Sequence, residues 1–159
     1  MPLFPALTDP HRYRFRATWT FPVPPDVLYA HLERPEGYPV WWPQVRSVEL
    51  SGPDTGTLRF RSFLPYTLVM TARGHRDPAA RTLRIDMTGD LEGYASWTVL
   101  PYGPTGSRAH FAQEVEVRNP LLRRLSLPAR PLLLANHAWA MRGGRRGLQA
   151  LLAVSGGGI

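Results

Sequence analysis

Five histidines, at positions 11, 31, 75, 110 and 137, are the side chains of this sequence that titrate nearest neutrality. Their spacing suits no metal site, and the absence of cysteine removes any thiolate ligand or thiolate nucleophile. There is no Gly-x-Ser-x-Gly elbow, no phosphate-binding loop and no dinucleotide fingerprint. Gly143-Gly144-Arg145-Arg146-Gly147 falls within a helical pattern and does not follow a strand. What remains is a short set of polar residues at positions where the local pattern is apolar. His137 is a candidate general acid or base, although a lone histidine on an apolar stripe is more often a hydrogen-bonded core group. Gln113, between Phe111 and Val115, is a candidate donor or acceptor for a ligand carbonyl or hydroxyl. Ser62 belongs to the same set, with Asn136 and Ser96 behind it. No metal and no cofactor is expected.

These residues must be positioned by strands and one long helix. Tyr13, Phe15, Ala17, Trp19 and Phe21 alternate with Arg12, Arg14, Arg16, Thr18 and Thr20, the pattern of a half-buried strand. Further strands are expected at 45–51, 57–64, 66–76, 81–88, 93–101 and 107–118. The segments between them carry turn chemistry, such as Gly52-Pro53-Asp54 and Asp77-Pro78. Short turns between successive strands imply antiparallel pairing. The inward residues read as Leu58, Phe60, Ser62 and Leu64; Leu68, Met70 and Ala72; Leu83, Ile85 and Met87; and Phe111, Gln113, Val115 and Val117. In 93–101 either Ala95, Trp97 and Val99 or Tyr94, Ser96 and Thr98 face inward.

After Asn119-Pro120 the period changes to that of helices. A short one is expected around Leu121, Leu122 and Leu125, interrupted near Pro128 and Pro131, and a long one from Leu132 to Val154. At about 100° per residue, Arg142, Arg145, Arg146 and Gln149 fall on one side. Leu133, His137, Ala140, Gly144, Gly147, Leu148 and Leu151 fall on the other. Glycine in a helix costs about 1 kcal/mol against alanine, so Gly143, Gly144 and Gly147 need a reason. The expectation is that they leave room for a ligand, against the simpler reading of close approach of the backbone to the sheet, or a kink.

Composition bounds the rest. At 159 residues with 43% hydrophobic and 19% charged residues, the chain reads as one soluble domain over 11–154, with an irregular arm at 1–10 and a flexible tail at 155–159. The first residues lack a charged segment and are broken by Pro5, so no signal peptide and a cytoplasmic location are expected. The net charge of +7 invites a nucleic-acid reading. The pattern argues against one, because Arg12, Arg14 and Arg16 would face Glu114 and Glu116 across neighbouring strands.

The segment Pro24-Pro25-Asp26-Val27-Leu28-Tyr29-Ala30-His31, followed by Glu36-Gly37-Tyr38-Pro39-Val40-Trp41-Trp42-Pro43, joins a helix start to a cluster of aromatics. Adjacent Trp41 and Trp42 are not expected to point into the same core, so one should line a cavity mouth or stay partly exposed; the simpler alternative is that the aromatics plug the core beneath the first helices. This insert, after one strand and before six more and a closing helix, resembles the START-like (SRPBCC) superfamily of small polyketide cyclases and lipid-transfer domains. The resemblance implies an α+β helix-grip fold of the START-like or Bet v 1-like kind. A curved antiparallel sheet of about seven strands would wrap a long C-terminal helix, with two short helices after the first strand. It also implies an internal cavity, for which the candidate lining residues are Tyr38, Trp41, Trp42, Phe60, Ser62, Met70, Met87, Trp97, Gln113, His137, Ala140, Met141 and Gly144.

Three functions follow as expectations. The first is binding of a hydrophobic small molecule such as a lipid, a quinone or a polyketide-like aromatic, by a monomer or homodimer. The second is a cyclase or dehydratase in which His137 moves a proton. The aromatase/cyclases place a pocket arginine three residues before an Asp-Pro turn, where this chain has Gly74, with Arg73 and His75 pointing to the opposite face. The third is a membrane-peripheral carrier using Leu121, Leu122 and Leu125 with Arg123, Arg124 and Arg130. Glu92 is a further candidate for the pocket rim.

Overall fold

The computed structural model describes residues 11–62, 66–125 and 130–156. The expected arm at 1–10, Leu64, Pro128 and the end of the tail lie outside the described residues. Strand β1 (Arg12–Phe21) leads into α1 (Pro25–Leu32), a 3₁₀ turn (Pro35–Gly37) and α2 (Tyr38–Trp41). Strands β2 (Val45–Leu50), β3 (Thr55–Arg61), β4 (Thr67–Asp77), β5 (Thr82–Gly89), β6 (Leu91–Tyr102) and β7 (Gly106–Val117) follow. Helices α3 (Pro120–Leu125) and α4 (Arg130–Gly156) close the chain.

The strands form one seven-stranded antiparallel sheet in the order β1-β7-β6-β5-β4-β3-β2. Hairpins link every neighbour from β2 to β7, while β1 returns to pair with β7. The segment carrying α1 and α2 therefore crosses from one edge of the sheet to the other. Curvature has a local cause at Gly93, whose φ of +149° and lack of a Cβ let β6 bend against β7. A Cβ there would sit on the Glu114 carbonyl oxygen. On the outer face, Arg12 stands opposite Glu116 and Arg14 opposite Glu114, with Arg14 Nε 2.9 Å from Glu114 Oε1. The basic face of β1 is thus partly answered by acids of β7.

Burial settles the ambiguous strand: Trp97 and Val99 are buried, so Ala95, Trp97 and Val99 face inward. The inner face is closed by α4. Its Arg142, Arg145, Arg146 and Gln149 are exposed, while Asn136, Met141, Gly144, Leu148 and Leu152 are buried. Two expectations for this helix need correcting. It starts at Arg130 and takes Pro131 into its first turn, where a proline's missing N–H has no intrahelical partner to lose. At the other end it runs through Ser155 and Gly156, two residues beyond the expected stop at Val154.

Candidate functional site

Between the sheet and the N-terminal half of α4 lies a cavity of about 150 Å³. Its wall is largely aromatic and thioether, with Tyr13, Phe15, Tyr38, Trp42, Trp97 and Phe111 joined by Met70, Met87 and Met141. Leu58, Phe60, Ile85, Ala95, Val115 and Leu122 add aliphatic and further aromatic surface. The alternation of each strand supplies these groups. Inner-face positions of β1, β3, β4, β5, β6 and β7 converge, and α4 contributes one face over successive turns through Leu133, Asn136, His137, Ala140 and Met141.

Two polar pairs tie α4 to the sheet. His137 Nε2 lies 2.9 Å from Gln113 Oε1, and the Ser62 hydroxyl donates to Asn136 Oδ1 at 3.1 Å. An amide oxygen only accepts, so the imidazole carries its proton on Nε2 and donates it to Gln113. The ring is stacked on Phe15, centroid to centroid 3.4 Å and nearly parallel. Burial pushes the His137 pKa down to about 4, because water that would solvate the imidazolium is excluded. The side chain is therefore neutral at physiological pH. Tyr38 donates its hydroxyl to the Leu32 carbonyl, and burial raises its pKa well above the ordinary phenol range.

Ten of the expected residues line the cavity: Tyr38, Phe60, Met70, Met87, Trp42, Trp97, Gln113, His137, Ala140 and Met141. Trp41, Ser62 and Gly144 do not. Trp41 and Trp42 are both buried, 6% and 5% exposed, so they share the core beneath the first helices; Trp42 also lines the cavity, and neither stays partly exposed. The backbone turns from helix to extended conformation at Trp42, so both indoles lie on the inner side and stack, 5.4 Å apart and 20° from parallel. Trp42 Nε1 donates to the Ala140 carbonyl at 2.8 Å.

The helix glycines are also corrected. They do not open the cavity; they let α2 and the segment after it press onto α4. A Cβ at Gly147 would lie 1.6 Å from the Trp41 carbonyl oxygen. At Gly144 it would meet Trp42 and Trp19 at 2.6 and 2.9 Å, and at Gly143 the Gln44 side chain at 2.1 Å. Gly147 admits a backbone, that of Trp41 in α2 and not that of the sheet, while Gly144 and Gly143 admit side chains.

Gly74 faces inward opposite Ile85 but is not part of the cavity wall, and its neighbours Arg73 and His75 are exposed on the outer face. There His75 Nε2 lies 2.8 Å from Asp86. The arginine that does touch the cavity is Arg61, at the exposed end of β3. Glu92 pairs with Arg118 on the outer face, 3.0 Å away, and not with the pocket. Of the expected membrane patch, Leu121 is exposed while Leu122 is buried in the cavity wall. Arg123 is held by Glu116 and the Val117 carbonyl, and Arg130 lies over the Tyr13 ring. The side chain of Leu125 lies outside the described residues. Among the described residues no helix is long and apolar enough to cross a membrane.

Among the lining residues that sequence reasoning missed are Tyr13, Phe15, Leu91, Phe111 and Leu122, although alternation had placed the first two and Phe111 on inner faces. The signal gives the face of a strand but not which end of that face is left open.

The family model described as polyketide cyclase/dehydrase and lipid transport matches residues 12–153. No curated protein matches the sequence. Among solved structures, the chain is similar to the Zhui aromatase/cyclase from Streptomyces sp. R1128, with a TM-score of 0.76 and 17% identity, covering 94% of this chain and 100% of that one. It is also similar to a START superfamily protein from Mycobacterium smegmatis, with a TM-score of 0.64, 16% identity and coverage of 85% and 98%. The ginseng major latex-like protein 151 from Panax ginseng gives a TM-score of 0.64 at 9% identity, with coverage of 88% and 97%. At these identities the structural likeness concerns the fold, which is the START-like helix grip.

Proposed function

Since the chain belongs to the polyketide cyclase/dehydrase and lipid transport family, we propose that it binds a compact hydrophobic molecule between its sheet and α4. The observation that carries this reading is the aromatic-walled cavity of about 150 Å³. A void of roughly that size holds a molecule of benzene's bulk, whereas drug-sized ligands occupy roughly 300–1,000 Å³. Size therefore favours a ligand of one or two rings, or the ring portion of a larger one, over an enclosed isoprenoid chain or diacyl lipid. Affinity would come from removing apolar surface from water, with a dissociation constant of order 0.1 mM for a ligand of about ten heavy atoms.

A cyclase or dehydratase has less support. With a pKa of about 4, His137 is not an imidazolium at neutral pH, so its remaining N–H is too weak an acid to serve, and the ring is a weak base; proton transfer is most efficient with a pKa near the working pH. Where the resemblance to the aromatase/cyclases would put a pocket arginine this chain has Gly74, which is not part of the cavity wall.

Trp42 and Trp97 line the cavity, so their emission reports occupancy. Titration of the purified protein with naphthalene or α-methylstyrene should give a saturable change in tryptophan emission. Native mass spectrometry of freshly purified protein should show a small molecule retained at up to one equivalent. If neither probe alters the emission and isothermal calorimetry detects no heat, the binding reading fails.

A further inference from the structure

Gln113 sits on β7 opposite Phe15 of β1 and Ala95 of β6, 9% exposed and part of the cavity wall. Its oxygen is taken by the His137 imidazole N–H at 2.9 Å. With the oxygen held there, the NH2 group is the free end. Among the described residues no protein acceptor meets that nitrogen. It is also unlike Gln44 Oε1 and Ser107 Oγ, which are sealed inside the protein with no partner. The nitrogen keeps accessible surface, and Gln113 is on the inner face of the sheet, so that surface lies towards the cavity. An amide donor on an apolar wall is costly unless something accepts from it.

The small Ala95 side chain and the flat Phe15–His137 stack flank this donor. A planar ligand lying among these aromatics can bring one oxygen to the amide without displacing a side chain. The ligand must also be uncharged. One neutral amide does not offset the desolvation of a carboxylate, His137 is neutral, and Arg61 stands at the exposed end of β3.

We propose that the Gln113 amide, held in place by His137 as a positioning residue, is the polar recognition point of the cavity. It selects a compact, uncharged aromatic ligand bearing a carbonyl oxygen, as in an aryl ketone, quinone or lactone. This rests on the cavity being a ligand site, and the test separates the two claims.

Acetophenone and α-methylstyrene have nearly the same shape and differ in replacing C=O by C=CH2, so their affinity ratio reads the hydrogen bond. Calorimetric titration of the full chain should show acetophenone bound about fivefold to tenfold more tightly. In Gln113→Leu the ratio should fall to about one. In His137→Phe it should fall by at least half, because the released amide turns; a purely structural defect would weaken both probes together and leave the ratio in place. Equal binding of both probes by the unaltered protein overturns the recognition role of Gln113 while keeping the cavity. Benzoate binding more tightly than acetophenone overturns it in favour of Arg61. Binding of neither probe overturns the cavity reading itself.

Discussion

The two halves of α4 meet the same sheet in opposite ways. From Gly143 onward the helix is pressed against its neighbours, with Gly144 beneath Trp42 and Trp19, Gly147 on the Trp41 backbone and Leu148 fully buried. From Leu133 to Met141 it spans a void, and its polar residues reach across to Gln113 and Ser62. Trp42 marks the boundary, filling the space over Gly144 while its N–H holds the Ala140 carbonyl. One end of the grip supplies stability, which lets the other stay unfilled. Removing apolar surface and dispersion contacts costs most where packing is tight, and the proposed ligand site lies where those contacts were given up.

This contrast is open to direct attack. The largest effect should come from Gly147→Ala, because the Trp41 carbonyl oxygen is backbone and cannot swing aside. A loss of about 3 kcal/mol or more is expected in chemical denaturation, whereas Gly143→Ala meets a movable Gln44 side chain and should cost about 1 kcal/mol. Next, Leu148→Ala in the packed half should cost about 3 kcal/mol and Met70→Ala in the cavity wall about 2 kcal/mol, since the latter adds to an existing void. Equal losses at the two sites would erase the distinction.

The third effect is pH dependence. His137 is held near pKa 4 in the fold against about 6.5 unfolded, so the folded state favours the neutral ring. Its contribution is constant above pH 6.5. As pH falls from 6.5 to 4 the unfolded chain takes up a proton that the folded chain does not, and stability of order 3 kcal/mol is lost. His137→Phe should flatten that limb relative to the unaltered protein; parallel profiles would contradict the buried, neutral state. A smaller effect of opposite sign belongs to Ala140→Leu, which should fill part of the cavity, raise stability by about 1 kcal/mol and abolish binding of α-methylstyrene. The smallest is Arg14→Ala: the pair with Glu114 is exposed, so a change under about 0.5 kcal/mol is expected.

Much of this was legible in the sequence where one local period decides the outcome. Leu83, Ile85 and Met87 could only face one way, because burial on one side of a sheet imposes a repeat of two. Gln113 and His137 were identifiable as polar residues on apolar faces, though not as partners, since the contact joins residues 24 apart in sequence. The helix glycines show the limit. Their cost is readable from residue type, but whether the space beside them holds a ligand or another backbone depends on where α2 lands. The same holds for Trp41 and Trp42: the bend at Trp42 that turns both indoles inward is set by the helix they pack against.

Methionine methyl groups give the most direct test of the hollow half. Of the four methionines, Met70, Met87 and Met141 line the cavity, and Met1 lies outside the described residues. With 13C-methyl methionine labelling, a titration with α-methylstyrene should shift the Met70, Met87 and Met141 resonances saturably through the ring current of the bound probe and leave Met1 unmoved. If those three resonances stay fixed while the probe is in excess, the interior is not accessible to a ligand and the account is wrong.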